Sequence, residues 1–172
     1  MGRVGELLRS WALERNASSK DVARWAAAGY LHDCLRDASP EELRHLVDGP
    51  LRAYPGKVLH GPAAARRLEE AGVADGPLLH AIAFHTLGSP DFSEIGLALF
   101  AADFLEPGRK LRENWRAKLR RRASHELEEV VREILEARLR HLLERRRPLR
   151  AETVAFWNRM TEGREWASAS EV

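Results

Sequence analysis

Three histidines and two aspartates, His32, Asp33, His60, His85 and Asp103, are the residues of this chain whose types and order point to chemistry. Imidazole nitrogens and carboxylate oxygens together suit borderline divalent ions such as iron, manganese or zinc. The single cysteine, Cys34, leaves no thiolate cluster to compete for that role. An aspartate directly after a histidine, as in His32-Asp33, can bridge two ions about 3.5–4 Å apart, while the other side chains hold one ion each and leave positions for water and phosphate. The chemistry such a set serves is metal-assisted hydrolysis. His45, His80, His125 and His141 lack that context and read as ordinary core or surface histidines.

The elements that must position these residues are helical. Leu7, Leu8, Trp11 and Ala12 recur with helical spacing, and Ser18 or Ser19 can cap a second helix through Val22, Trp25, Ala26 and Tyr30, with His32-Asp33 at or near its end. Pro40 opens a short helix to Leu46, Asp48 to Gly56 reads as loop, and His60 emerges from that loop. Gly61-Pro62 then starts a helix through Ala63, Ala64, Ala65 and Leu68 that stops at Gly72. After Asp75-Gly76-Pro77, a helix carrying Leu78, Leu79, Ile82 and Phe84 closes at the Gly88-Ser89-Pro90 break, which puts His85 on its last turn. Asp91 or Ser93 caps the next helix, apolar or small nearly all round from Ile95 to Ala102, so Asp103 needs a cation, an arginine or a set of hydrogen bonds as its partner.

Beyond that lies a highly charged helical stretch whose stripe runs through Leu127, Val131, Ile134, Leu135, Leu139 and Leu142 and stops near Arg147-Pro148. A last short helix spans Glu152, Phe156, Trp157 and Met160, and the chain frays from Gly163 onward. With no convincing strand pattern, the fold class is all-α: one compact helical bundle over residues 1–172, with a core of roughly 1–112 and a C-terminal helical part of roughly 113–172.

Composition narrows the function classes. A chain of 172 residues with 44% hydrophobic content supports one domain with a real core. Lys+Arg 28 against Asp+Glu 26 gives no bulk charge to recruit nucleic acid or membrane. The start, Met1-Gly2-Arg3-Val4-Gly5-Glu6, has no apolar secretory segment, and apolar runs fall far short of the roughly 18 residues of a membrane span, so a soluble, cytoplasmic protein is expected. Cys34, next to Asp33, reads as a small packing residue without a role.

Four blocks carry a family resemblance: Tyr30-Leu31-His32-Asp33, Leu59-His60-Gly61-Pro62-Ala63-Ala64, Ala81-Ile82-Ala83-Phe84-His85-Thr86-Leu87-Gly88, and Ala101-Ala102-Asp103-Phe104-Leu105-Glu106-Pro107-Gly108-Arg109. In these the chain resembles the HD superfamily of metal-dependent phosphohydrolases and, within it, the symmetrical bis(5'-nucleosyl)-tetraphosphatase family. The likeness continues around Arg147-Pro148-Leu149 and Phe156-Trp157-Asn158. It implies a dinuclear centre of two divalent ions, usually iron with manganese as the alternative, that hydrolyses diadenosine tetraphosphate to two ADP. His32, Asp33, His60, His85 and Asp103 would be the ligands. The family has one more histidine on its first helix, and this chain has none before His32. By the spacing to Val4 and Trp11 that ligand falls at or just before Met1, so either a histidine codon stands immediately upstream in frame or the site is altered.

The resemblance also implies roles around the metals. Two cations lower the pKa of a shared water so that hydroxide attacks phosphorus in line, with Asp33 bridging and orienting as the catalytic carboxylate. Arg109, beyond Pro107-Gly108, is the candidate bidentate donor to the polyphosphate, and Arg36 occupies the place of a phosphate-contacting lysine. Thr86 and Gly88 would shape the pocket wall, the hydroxyl donating and the glycine allowing close approach. Arg146, Arg147 and Pro148 would lie near the base or ribose.

Two alternatives stand beside this reading. One keeps the metal chemistry and changes the substrate to a nucleoside monophosphate or another phosphoester. The other makes Arg116, Lys118, Arg120, Arg121 and Arg122 a nucleic-acid or partner surface beside a degenerate site, against which the interspersed Glu126, Glu128, Glu129, Glu133 and Glu136 argue. A homodimer through the tryptophan-bearing helices stays open.

Overall fold

The computed structural model describes residues 2–162, and the expected fraying from Gly163 lies outside the described residues. The described residues form α1 (Gly2–Glu14), α2 (Ser19–Leu31), α3 (Pro40–His45), a one-turn 3-10 helix (Gly49–Ala53), α4 (Gly56–Glu70), α5 (Gly76–Phe84), α6 (Glu94–Phe104), α7 (Glu113–Arg122), α8 (Leu127–Glu144) and α9 (Ala151–Thr161). The class is all-α, with no strand among the described residues. None of these helices is long and apolar enough to cross a membrane.

The sequence dictates the ends of these helices through capping. Ser18, rather than Ser19, caps α2 by accepting the Asp21 backbone N–H at 3.1 Å. Ser39 and Glu42 form a reciprocal capping box at α3, with Pro40 in its first turn. The Asp75 carboxylate accepts the Leu78 N–H at 3.1 Å and starts α5.

Packing then sets which ends meet. Helices α1 and α2 cross where Gly5 and Gly29 touch: a Cβ on Gly29 would lie 2.6 Å from the Gly5 backbone, an approach any side chain would block. The apolar helix α6 lies at the centre, against α1, α2, α5 and α8. Its Leu99, Phe100, Ala101 and Ala102 are buried with Leu8, Trp11, Ala28, Ile82, Ile134 and Leu135 in the main core. Full burial of such a leucine or phenylalanine is worth about 1.5–3 kcal/mol. A smaller cluster of Leu43, Val47, Leu59 and Ala63 fastens α3 to α4.

Three local expectations are corrected. Helix α4 begins at Gly56, not at Gly61-Pro62, so His60 sits inside a helix and not on a loop, and Pro62 is an interior proline. The helix tolerates the missing N–H because Leu59, His60, Gly61 and Ala63 are buried against neighbours that hold the backbone. The charged stretch after residue 112 is two helices, α7 and α8, broken by the turn around Ser124 and His125. Cys34 is exposed rather than packed: it follows His32 and Asp33, the residues that the turn after α2 directs inward.

Candidate metal centre

The five candidate ligands are delivered by the ends or interiors of four helices. His32 is the C-cap of α2 with Asp33 next to it, His60 lies in α4, His85 is the C-cap of α5, and Asp103 is in the last turn of α6. All three histidines and Asp33 are buried. Gly61 lets α4 lie close to the end of α5: a Cβ there would meet the Ile82 and Ala83 carbonyl oxygens at 2.8 and 2.7 Å. This approach brings the His60 and His85 rings edge to face, with centroids 4.8 Å apart.

Backbone carbonyls fix the rings. His32 Nδ1 lies 2.9 Å from the Gly29 carbonyl oxygen and His85 Nδ1 lies 2.7 Å from that of Ile82, so each Nδ1–H donates and each Nε2 is left with its lone pair free to accept or ligate. His60 Nε2 is 3.0 Å from His85 Nε2 and 3.0 Å from Asp33 Oδ1. Two ring nitrogens that close require a proton or a cation between them. Asp33 Oδ2 is 3.6 Å from His32 Nε2, and Asp103 Oδ1 is 3.9 Å from the same nitrogen.

The residues fit a metal. His32 Nε2 is buried with no hydrogen-bond partner, which a protein rarely tolerates unless a ligand completes the atom. One donor atom from each of His32, Asp33 and His85 falls within 4.8 Å of the others. Burial raises the Asp33 carboxyl, but the hydrogen bond from His60, the nearby His32 and the hydrogen bond from Arg36 outweigh it and hold Asp33 well below the usual carboxylate range. Burial and the neighbouring His32 press His85 down to about 4, so its imidazole is neutral at physiological pH, the form that ligates.

The cationic residues surround this cluster. Arg36 Nη1 donates to Asp33 Oδ2 at 2.7 Å, and Arg109 Nη2 donates to Asp103 Oδ1 at 2.6 Å. The Thr86 hydroxyl is 3.2 Å from His85 Nε2. These residues line a cavity of about 610 Å³ together with Asp37, Pro40, Leu43, Gly56 and Lys57, a volume within the range of small-molecule sites.

Other expected contributors stand elsewhere. Gly88 has φ +83° and faces Phe156, whose ring a Cβ would overlap at 2.1 Å. The close approach it permits is thus that of α9 and not of a ligand. Arg146, Arg147 and Pro148 are exposed on the α8–α9 turn and are not among the residues lining the cavity.

Two residues near the site were not expected. Lys57 reaches the cavity from α4, three positions before His60, a relation invisible while that segment reads as loop. Arg138 on α8 donates to the Thr86 carbonyl oxygen at 2.6 Å and stacks over Phe100. It had a sequence signal: with Val131, Ile134, Leu135 and Leu142 it falls in the phase of the buried stripe, where an arginine needs a reason.

An all-helical bundle that gathers histidines and aspartates from four helices around one cleft defines a metal-site protein of the His-Asp type. The HD domain family model matches residues 1–162, and the chain belongs to that family. It is 30% identical over 146 residues to the symmetrical bis(5'-nucleosyl)-tetraphosphatase of Halalkalibacterium halodurans, covering 81% of this chain and 77% of that one. With the protein of the same name from Staphylococcus aureus it shares 32% identity over 97 residues, 53% of this chain and 50% of that one. Its fold is similar to a crystal structure from Clostridium acetobutylicum, described as a predicted HD superfamily hydrolase involved in NAD metabolism. That likeness has a TM-score of 0.82 at 22% identity and covers 95% of this chain and 87% of that one.

Proposed function

We propose that the chain is a metal-dependent phosphohydrolase that splits diadenosine tetraphosphate symmetrically, with one water consumed and two ADP released. The observation that supports it most is that one donor atom each from His32, Asp33 and His85 falls within 4.8 Å of the others, beside a cavity lined by Asp33, His85, Arg36 and Arg109. Relatives bearing the tetraphosphatase name, at 30% and 32% identity, support the choice of substrate.

In this reading His32, Asp33, His60, His85 and Asp103 hold two divalent ions, iron or manganese. The ions supply Lewis acidity to phosphoryl oxygens and make a water acidic enough to serve as nucleophile near neutral pH. Asp33 stays ionised at every physiological pH and orients that nucleophile through its two oxygens. The Gly29 and Ile82 carbonyls keep His32 and His85 in the ligating tautomer. Arg36 and Arg109 each direct one N–H to a carboxylate, which leaves further donors of each planar fork for phosphoryl oxygens. Arg109 takes up the negative charge that moves onto the leaving diphosphate as the central P–O bond breaks. The site sits on the part of the chain up to about residue 112, the later helices buttress it within one domain, and the cytoplasm is its compartment.

Product analysis tests the proposal. Purified protein incubated with diadenosine tetraphosphate and iron or manganese is expected to yield ADP alone, and Asp33→Ala is expected to lose the activity by at least 100-fold. ATP and AMP as products, or no turnover with either metal, would overturn it.

A further inference from the structure

The cavity holds one cation that the reading above leaves without work. Of the basic side chains lining it, Arg36 is bound to Asp33 and Arg109 to Asp103. Lys57 is the third, and it is exposed and makes no ion pair or side-chain hydrogen bond among the described residues. The lining carries formal charges from Asp33, Asp37 and Asp103 against Arg36, Lys57 and Arg109, so the side chains cancel and any bound divalent ion makes the cavity electropositive.

The place of Lys57 on its helix gives direction to that charge. It precedes His60 by three residues on α4, so both project from the same face, with Lys57 one turn, about 4.5 Å of helix rise, nearer the N-terminus. A lysine there does not serve the helix. It stands in the first turn, where the backbone dipole already presents positive charge, and that turn has no acidic residue to balance it. A cation in such a position is unfavourable for folding. Its value must come from something negative that arrives from outside.

We propose that Lys57 is a specificity-determining residue that contacts the phosphate next to the one undergoing attack. The cavity is thereby selective for substrates with a diphosphate or longer chain on the retained side. The inference rests on the phosphohydrolase reading for the position of the reacting phosphate beside His60. A flexible ammonium one turn from the metal end reaches the neighbouring phosphate of a polyphosphate, whereas a monophosphate placed at the metals offers it no partner. This separates dinucleoside polyphosphates and their diphosphate products from nucleoside monophosphates on the basis of a residue in this chain.

The test compares ADP and AMP binding by calorimetry in manganese-loaded wild type, Lys57→Met and Lys57→Arg, with kcat and KM for diadenosine tetraphosphate alongside. Methionine keeps much of the apolar stem and removes the charge, and because Lys57 is exposed both variants fold. Lys57→Met is expected to weaken ADP binding about tenfold and to leave AMP binding within twofold. It is also expected to raise KM for the tetraphosphate more than it lowers kcat. Lys57→Arg retains ADP affinity within about threefold, and the difference between wild type and Lys57→Met shrinks as salt is raised. Equal losses for ADP and AMP, an unchanged ADP affinity in Lys57→Met, or a wild type that binds ADP no more tightly than AMP would each overturn the proposal. Lys57-dependent ADP binding in a protein that releases no ADP from the tetraphosphate would instead overturn the hydrolase reading and leave Lys57 as a diphosphate contact.

Discussion

At the scale of the residue, Arg138 links the C-terminal helices to the candidate metal centre. Its guanidinium reaches from α8 to the Thr86 carbonyl oxygen, one residue from His85, and packs on Phe100. Burial pushes its pKa down, and the Asp103 carboxylate opposes that shift. Substitution Arg138→Met keeps much of the stem but leaves the Thr86 carbonyl without that donor. A lost charged hydrogen bond of this kind costs about 1–3 kcal/mol. Urea unfolding is expected to show a loss in that range, and a loss under about 0.5 kcal/mol would mean the contact is replaced by water without penalty.

At the scale of the element, Asp75 serves two helices at once. It caps α5 through the Leu78 N–H and receives a bidentate bond from Arg24 of α2, with contacts of 2.5 and 2.8 Å. The Arg24 bond holds its pKa below the ordinary 3.8 of an aspartate. A carboxylate depressed on folding stabilises the protein above its unfolded pKa, and that contribution is lost as pH falls through the folded value. Since both side chains are partly exposed, the contribution is about 1–2 kcal/mol after solvent screening. Asp75→Asn is therefore expected to lower stability by that amount at pH 7, with the gap to wild type narrowing below pH 4. A gap independent of pH would assign the effect to packing alone.

Elements also show what the sequence could disclose. Caps such as Ser18, Ser39 and Asp75 act within a few residues, so helix starts at α2, α3 and α5 are readable from local chemistry. The start of α4 is not, because Gly-Pro imitates a helix opening at Gly61-Pro62 while the decisive contacts, Gly61 against the end of α5 and Leu59 in the α3 cluster, come from elsewhere in the chain. That error concealed Lys57. The five candidate ligands were legible because few buried roles suit both histidine and aspartate, and the structure does gather them. Gly88 was misplaced for the opposite reason: a positive-φ glycine is readable as a backbone need, but its neighbour, Phe156 of α9, is 68 positions distant in sequence.

At the scale of the whole molecule, the candidate metal centre would be a cross-link among helices when an ion is bound. Its candidate ligands come from α2, α4, α5 and α6, which otherwise meet through small residues and one apolar core. A ligand that binds only the folded chain stabilises it by about 2.7 kcal/mol at a hundredfold excess over its dissociation constant. For a chain of 172 residues that corresponds to a rise in melting temperature of about 5–10 °C. Manganese added to chelator-treated protein is expected to produce such a rise. His32→Leu separates this effect from simple packing. In chelator the variant is expected to lie within about 1 kcal/mol of wild type, because removing the unpartnered buried Nε2 offsets the loss of the Nδ1–H bond to the Gly29 carbonyl. In manganese wild type is expected to be the more stable by several degrees, since only it gains the ligand's full contribution. If His32→Leu fell further below wild type than that in chelator and still gained the full shift with metal, His32 would be a core histidine and not a ligand. The centre would then have to be built from Asp33, His60, His85 and Asp103 alone.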